Sequence, residues 1–192
     1  HSVLLSAQNS QENTKQHIEA FFNKHALTRA VVKPVAGGSS IGVFNVESPE
    51  QAAEKAAYLF DNNIDKEAIL EPFCQGREFT VCVMANRDGE PVAFVPSEIE
   101  IDTTGGQIFD YRRKYLPTAN TKWHCPPRFS DAAMTTIRQQ AEEIFNLFGM
   151  RDFARLDGWV LENEKRGGDV LFTDLNPISG LEQNSFIFQQ AA

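Results

Sequence analysis

The sequence has 192 residues, of which 42% are hydrophobic and 23% charged, a composition that excludes a disordered chain and allows one substantial core or two small lobes. Lysine and arginine number 18 against 26 aspartate and glutamate, and the net charge of -8 argues against a duplex nucleic-acid-binding protein, because such binding depends on phosphate neutralisation. No apolar stretch approaches ~20 residues and no export signal is visible, which argues against a membrane partner.

Cysteine usage and the first residue bear on where the protein works. Cys74, Cys82 and Cys125 are odd in number and lack C-x-x-C spacing, so they predict neither a disulfide framework nor a zinc ribbon. A reducing, cytoplasmic compartment fits them best. The chain begins at His1 without methionine, which we interpret as a processed product or an excised fragment.

The first elements in the chain are predicted to be scaffold. A short apolar strand at residues 3–6 precedes an amphipathic helix over residues 12–24, because Ile18, Phe21 and Phe22 share one helical face. A second helix is predicted from residue 49 to about residue 60, with Ser48 as its cap and proline at its first position.

Between these two helices, residues 30–46 predict a strand, a glycine-rich loop and a second strand. Glycines let the backbone approach a ligand, successive N–H groups can bind an anion, and Lys33 adds a point charge. Phosphate is the ligand that this combination suggests. A glycine hairpin beside a solvent-facing lysine accounts for the same residues about equally well.

Two known loop motifs, the Walker phosphate loop and the nucleophile elbow of serine hydrolases, do not fully match this loop. The lysine precedes the glycines and a strand follows, whereas a Walker loop requires the reverse order and a helix. Gly38-Ser39-Ser40-Ile41-Gly42 does match the G-x-S-x-G elbow of serine hydrolases, with Ser40 as the nucleophile. That motif also requires a helix directly after the serine and a later histidine, and only His124 follows. The hydrolase is therefore the weaker hypothesis.

The middle of the chain predicts three antiparallel strands and then a long irregular segment. The strands cover residues 68–73, 78–84 and 91–97, and alternation in the second predicts one buried face, formed by Phe79, Val81 and Val83. Residues 102–128 lack periodicity and contain two glycines, four aromatic residues and three consecutive cations. We interpret them as a lid, with a packed Ω-loop as the alternative.

The last part predicts a helix capped by Ser130 and ended by Gly149, followed by strands over residues 153–161 and 170–176. Arg155 and Asp157 leave the same face of the first strand, and Asp174 and Asn176 leave one face of the second. If the two faces coincide, three oxygen ligands and an arginine lie together, which suits Mg²⁺. The alternative is a solvated cross-strand ion pair.

These motifs occur in an order that resembles the ATP-grasp ligases, and among them the D-alanine:D-alanine ligase family, from about Val31 to the end of the chain. The motifs are Lys33-Pro34 with the loop 38–42, Glu71 with Gly76-Arg77-Glu78, Phe109-Asp110-Tyr111 with Lys114-Tyr115, Arg155-Leu156-Asp157, and Asp174-Leu175-Asn176 with Gly180 and Ser185. The resemblance implies an α+β ATP-grasp fold of two α/β lobes, residues 1–75 and 76–192, whose mostly antiparallel sheets enclose a nucleotide cleft. Residues 102–128 would be the lid of the second lobe.

The resemblance also implies roles for individual residues. ATP would be held through its phosphates by Lys33, Ser40 and, from the lid, Lys114, through adenine by Glu71 and the Cys74 backbone, and through ribose by Glu78. Two Mg²⁺, or Mn²⁺ in their place, would be bound by Asp157, Asp174 and Asn176. At the acyl centre, Arg155 and the Gly180 amide would stabilise developing charge, Ser185 would hold the second amino acid's carboxylate, and Tyr115 would close onto Ser39.

The implied activity is ATP-dependent ligation of two D-alanines through a D-alanyl phosphate, for peptidoglycan precursors, in a cytoplasmic enzyme that is a homodimer at full length. Asp174 stands where the family has glutamate, and residues 176–180 depart from its threonine and proline pattern, which leaves two-metal binding and the acceptor open. The family's N-terminal domain is absent, so we expect an ATP- and Mg²⁺-binding portion that is inactive alone. The alternatives are a ligase with D-lactate or D-serine as acceptor and a non-catalytic nucleotide-binding module.

Overall fold

The computed structural model of the chain describes residues 1–37, 40–101, 121–161, 169–183 and 185–191. The described residues form two compact units, His1–Phe73 and the part from Cys74 onward, here called the first and second units. Each unit has its own sheet and its own hydrophobic core. Among the described residues, no helix is both long and apolar enough to cross a membrane.

The first unit is a four-stranded antiparallel sheet with two helices, in the strand order β1-β4-β2-β3. Its elements are β1 (Val3–Ser6), α1 (Gln11–Lys24), β2 (Ala30–Pro34), β3 (Phe44–Val46), α2 (Pro49–Asp61) and β4 (Glu67–Pro72). Ser48 caps α2 as predicted, accepting from the Gln51 N–H. Ile18 and Leu59 from the helices pack in one core with Val32 and Leu70 from the strands.

The second unit contains a six-stranded antiparallel sheet in the order β10-β9-β5-β7-β8, with β6 also paired to β5. Its elements are β5 (Gly76–Ala85), β6 (Pro91–Ala93), β7 (Ser97–Ile101), β8 (Thr121–His124), α3 (Asp131–Leu147), β9 (Phe153–Leu161), β10 (Val170–Asn176) and α4 (Phe186–Ala191). The apolar side of α3, including Ile137 and Phe145, packs with Phe79 and Leu156 on one face of this sheet. The prediction of an α+β chain with mostly antiparallel sheets is confirmed.

The prediction of a single buried face on β5 was wrong. Phe79, Val81 and Val83 are fully buried in the core, but Glu78, Thr80 and Cys82 on the other face are at most 4% exposed. The alternation of polar and apolar residues along the strand predicted an exposed second face. That face is buried because partners from distant parts of the chain cover its polar groups. The face opposite α3 therefore carries a buried polar layer, which is where the candidate site lies.

Two boundaries in the middle of the chain also differ from the prediction. The strand expected over residues 91–97 is divided into β6 and β7, and Pro96, which has no N–H to donate, lies in the gap. Thr121–His124, expected as loop, is a strand because it pairs with β7 along its whole length. Such pairing is a tertiary effect that residue propensities do not report.

Gln190 on α4 fills the gap between β6 and β7. Its Oε1 accepts from the Cys82 N–H at 2.8 Å, and its Nε2 donates to the Thr80 carbonyl and to Ser97 Oγ, each at 3.0 Å. The side-chain amide thus supplies to β5 the two backbone partners that a continuous neighbouring strand would have supplied. Helix α4 is fastened to the sheet by this residue.

Candidate functional site

The first unit contributes an ion pair on the sheet face away from its helices. Glu71 on β4 lies opposite Val31, and Lys33 on β2 is therefore its diagonal neighbour. Lys33 Nζ lies 2.8 Å from Glu71 Oε2, with the two side chains 23% and 30% exposed. The predicted phosphate-binding and adenine-binding residues thus neutralise each other across two adjacent strands, in a position that water reaches.

The start of the glycine-rich loop is held by Asp65. Its Oδ2 accepts from the Ala36 N–H at 2.7 Å, and its Oδ1 accepts from the N–H groups of Lys66 and Glu67. The Ala36 N–H, ahead of other backbone donors, lowers the pKa of this carboxyl from its ordinary value. Sequence reasoning missed Asp65, because no local pattern links residue 65 to a loop that begins thirty residues earlier.

The far end of the same loop bends through left-handed backbone. Ser40 has φ 57° and Gly42 has φ 77°, and a Cβ on Gly42 would lie 2.8 Å from Leu59 Cδ2 of α2. Glycine is therefore required at residue 42 both for conformation and for close packing. The turn continues into β3, whereas the elbow motif of hydrolases requires a helix at this point, so Ser40 does not have the setting of an activated nucleophile.

The second unit brings together the two polar pairs predicted from spacing. Asp157 on β9 lies opposite Asp174 on β10, and Arg155 lies opposite Asn176. The register shifts between Phe172 and Asp174, and this bulge moves the following residues of β10 to the other face. Without it Asp174 would lie on the α3 side of the sheet, so the bulge is what makes the two polar faces coincide.

Asp157 is the centre of a buried hydrogen-bond network. Arg155 Nε donates to Oδ1 and its terminal nitrogen to Oδ2, both at 3.0 Å. Thr80 Oγ donates to Oδ1 at 2.6 Å, and Asn176 Nδ2 to Oδ2 at 3.2 Å. Asp157 is 2% exposed and Arg155 7%, so this is a desolvated bidentate ion pair supported by two neutral donors. The solvated cross-strand pair considered from sequence is wrong.

Two further residues surround the Arg155 side chain. Its second terminal nitrogen donates to Ser179 Oγ at 3.0 Å. Cys82 lies opposite Arg155 in the β5–β9 register, and burial raises the pKa of the Cys82 thiol to about 12 despite the nearby guanidinium. The thiol is therefore neutral at physiological pH and offers neither a metal-binding thiolate nor a redox nucleophile. Sequence reasoning missed both Ser179 and Thr80.

The other predicted site residues of the second unit are close in sequence to residues of this network. Glu78 is 4% exposed and shares its face of β5 with Thr80, while Cys74 is half-buried in the connection before β5. Gly180 is exposed. The Ser185 Oγ is buried and has no hydrogen-bond partner within the described ranges, an arrangement that fits a polar group supplied by a ligand.

The donor set can be compared with the needs of Mg²⁺. Asp157, Asp174 and Asn176 offer the carboxylate and amide oxygens that this ion prefers. Asp174 is exposed, but the Asp157 oxygens are occupied by Arg155, and the Asn176 amide presents its nitrogen to them. Across the part of the chain that the structure describes, no three His, Cys, Asp or Glu side chains converge. The oxygen types fit Mg²⁺, and Asp157 would have to exchange partners to bind it.

Ser39, Lys114 and Tyr115, together with residues 102–120 of the predicted lid, lie outside the described residues. His124, the one histidine available to a hydrolase, places its Nε2 2.7 Å from Glu100 Oε2 on the neighbouring strand. Through Glu100, His124 joins a cluster of side chains that also contains Arg128, Glu98 and Arg77. This setting favours a structural role for His124 over a catalytic one.

Comparison with known proteins gives consistent results. The family model described as D-ala D-ala ligase C-terminus matches residues 2–192. The chain is 35% identical over 182 residues to a D-alanine–D-alanine ligase of Pelodictyon phaeoclathratiforme, covering 93% of this chain and 46% of the relative. It is 32% identical over 151 residues to the enzyme of that name from Kineococcus radiotolerans, covering 78% and 39%. The chain thus spans less than half the length of these relatives.

Solved structures share the fold. D-alanyl-alanine synthetase A from Vibrio cholerae matches with a TM-score of 0.78 at 19% identity, over 100% of this chain and 54% of that one. The VanG D-Ala:D-Ser ligase from Enterococcus faecalis matches with a TM-score of 0.76 at 23% identity, over 99% and 50%. At these identities the likeness concerns the fold alone, which is that of the ATP-grasp D-alanine ligases.

Proposed function

The chain belongs to the family of D-Ala-D-Ala ligase C-terminal domains, and from this we propose that it is the ATP- and Mg²⁺-binding part of a D-alanine:D-alanine ligase. The observation that carries the proposal is the convergence of Arg155, Asp157 and Asn176 on one face of the second unit, where a β-bulge in β10 brings Asn176 to the Arg155–Asp157 pair. β-Bulges are over-represented next to active sites as well as at sheet edges, and this bulge supports the proposal because it aligns the polar residues of the two strands on one face.

Nucleotide-binding roles are proposed for individual residues. In the first unit, Lys33 would leave Glu71 for the α and β phosphates, and Glu71 would then accept from the adenine amino group. The Lys33 and Glu71 side chains are partly exposed, at 23% and 30%, which supports such an exchange because water can replace either partner at little cost. The Cys74 backbone is also proposed as an adenine contact. Ser40 and Glu78 are proposed at the phosphates and ribose, and Lys114 at the γ-phosphate.

Two Mg²⁺, or Mn²⁺, are proposed at Asp157, Asp174 and Asn176, where the metals would neutralise phosphate charge and orient the transferred group. Asp174 lies opposite Asp157, so both carboxylates belong to the same region of the sheet, and Asp157 would bind a metal there by exchanging its Arg155 partner. Two carboxylates directly opposite each other repel unless a cation lies between them. The positive charge next to Asp157 in the structure is the Arg155 guanidinium.

Acyl transfer is proposed to use Arg155, the Gly180 amide and Ser185. The carboxylate of one D-alanine would attack the γ-phosphate of ATP and release ADP, and the amine of a second D-alanine would then displace inorganic phosphate from the D-alanyl phosphate. Arg155 and the Gly180 N–H would stabilise the charge that develops at the acyl oxygen. The buried Ser185 Oγ would hold the second substrate's carboxylate, while Ser39 and Tyr115 would lie near the first substrate.

The experiment that tests the nucleotide assignment is calorimetric titration of the chain with a non-hydrolysable ATP analogue, with and without Mg²⁺. We expect binding that requires Mg²⁺ and that Lys33→Ala weakens at least tenfold, because a charge-assisted phosphate contact is lost. Lys15→Ala on the exposed side of α1 removes the same charge from the same unit and should leave affinity unchanged. Equal affinity of the two variants would contradict the role of Lys33.

Ligation is proposed only for a protein that supplies further residues, since the chain spans about half or less of the length of the curated relatives it matches. D-Alanyl-D-alanine formation by this chain as the sole protein would contradict that. The full-length enzyme is proposed to be a cytoplasmic homodimer in peptidoglycan precursor synthesis. Its acceptor can be tested by a product screen with D-alanine, D-serine and D-lactate, because the segment 177–180 departs from the family pattern next to Arg155.

A further inference from the structure

Arg155 covers the carboxylate that a cation would use. It donates to both oxygens of Asp157, and the Asp157 side chain is only 3% exposed. A divalent cation binds a carboxylate through its lone pairs, and at this depth it reaches them only if the covering group moves. Guanidinium and metal ion are both positive, so they compete for Asp157 rather than assist each other there.

Arg155 has a second attachment that does not involve Asp157. One terminal nitrogen donates to Ser179 Oγ at 3.0 Å. Ser179 lies in the connection from β10 to α4, outside β9, which carries Asp157. Displacement of the guanidinium from Asp157 would break the two carboxylate hydrogen bonds without requiring the loss of the Ser179 hydrogen bond.

Resting on the function proposed above, we propose that a divalent cation exchanges with the Arg155 guanidinium at Asp157 and that Ser179 retains the displaced guanidinium at the site. Ser179 is then a positioning residue for Arg155. The displaced guanidinium binds an oxyanion in place of Asp157. Because coupling between two ligands is reciprocal, the oxyanion and the cation each tighten the binding of the other.

The first test is titration of the whole chain with Mn²⁺ at pH 8, followed by the electron paramagnetic resonance signal of unbound Mn²⁺. Arg155→Gln removes the competing charge and should tighten Mn²⁺ binding about tenfold, the scale of one charge-assisted hydrogen bond. Arg87→Gln, in the exposed turn after β5, makes the same charge change and should have no effect. Unchanged or weaker binding by Arg155→Gln, or no binding by either protein, overturns the exchange.

Arg155→Gln leaves a buried carboxylate without its ion-pair partner, and circular dichroism will show whether it folds. Arg155→Lys keeps the positive charge but replaces the bidentate contact by a single ammonium. It should bind Mn²⁺ more tightly than the natural chain and less tightly than Arg155→Gln. Weaker or equal binding by a folded Arg155→Lys also overturns the exchange.

The second test concerns Ser179 and uses sulfate as the oxyanion, with chloride at matched ionic strength as the control. Sulfate should tighten Mn²⁺ binding about threefold in the natural chain and in Ser179→Thr, which keeps the hydroxyl. The effect should vanish in Ser179→Ala and in Arg155→Gln. An undiminished sulfate effect in Ser179→Ala, or none in the natural chain, overturns the role of Ser179.

These outcomes are distinct from failure of the proposed function. If the chain binds the ATP analogue in a Mg²⁺-dependent way but Arg155→Gln does not raise its Mn²⁺ affinity, the proposed function stands and the exchange of Arg155 for a cation is contradicted. A chain that does not bind the analogue but shows the Mn²⁺ and sulfate effects retains the exchange and loses the nucleotide assignment.

Discussion

In the first unit the candidate ligand-binding residues form one ion pair, Lys33 with Glu71, whose side chains are 23% and 30% exposed. In the second unit the corresponding pair, Arg155 with Asp157, is 9% and 3% exposed, and Thr80, Asn176 and Ser179 add further hydrogen bonds. Water can replace either partner of the first pair at little cost, but not of the second. The first unit therefore offers charges that a ligand exchanges readily, and the second a preorganised arrangement.

The largest effect is expected from removing the carboxylate of the buried network. Asp157→Ala leaves the Arg155 guanidinium buried without its counter-charge and should lower the free energy of unfolding by about 3–5 kcal/mol. Urea denaturation followed by circular dichroism measures it. Asp174→Ala is the matched control, because it removes an exposed carboxylate directly opposite on β10 and should change stability by less than about 0.5 kcal/mol. Similar losses in both variants would show that Asp157 is not specially placed.

A somewhat smaller effect is expected at Gln190, which completes the β5 hydrogen bonds of the same unit. Gln190→Ala removes three hydrogen bonds, two of them to backbone groups. It should lower the free energy of unfolding by about 2–3 kcal/mol. Gln190→Glu keeps the shape and the acceptor but places an oxygen against the Thr80 carbonyl. It should cost at least as much as Gln190→Ala. A nearly neutral Gln190→Glu in the same urea experiment would contradict the donor role of Nε2.

Local sequence patterns predicted the helices and strands well. They predicted poorly the long-range contacts that assemble the candidate site. Ser48 and Ser130 cap their helices as predicted, and β9 and β10 have the predicted bounds. These features depend on neighbouring residues. The bulge before Asp174 depends on how β10 pairs with β9, and Gln190 acts on residues more than one hundred positions earlier. No periodicity within a segment carries that information.

The same distinction holds for the site residues. Spacing of two put Arg155 with Asp157 and Asp174 with Asn176 on common faces, and the structure brings the two pairs together. Thr80 and Ser179 were not singled out, because a hydroxyl has no distinctive pattern until its partner is known. Asp65 was also missed, because it holds a loop that begins about thirty residues earlier and no local pattern links the two. Residues that belong to a short motif could be predicted from sequence, whereas residues that position them from another part of the chain required the fold.

A third effect comes from pH, through Glu98 on β7. Burial raises the pKa of Glu98, but hydrogen bonds from Arg128 outweigh it and hold the pKa below its ordinary value. A carboxyl with a lowered folded pKa stabilises the fold above its unfolded pKa of about 4.3, and that stability is lost as the pH falls through the folded value. Glu98→Gln should therefore lower the free energy of unfolding by about 1 kcal/mol at pH 7 and by progressively less below pH 4, as measured by urea denaturation. A cost independent of pH would contradict this.

The smallest effect on stability is expected at the partly exposed Lys33–Glu71 pair of the first unit. Glu71→Gln removes the partner of Lys33, yet a pair of this exposure contributes about 0–1 kcal/mol, so urea denaturation should barely change. The same substitution should weaken binding of the ATP analogue several-fold, because the acceptor proposed for adenine loses its charge. Stability unchanged with affinity lowered would identify Glu71 as a residue kept for its ligand. A loss of stability near that of Asp157→Ala would instead mean that both ion pairs are structural.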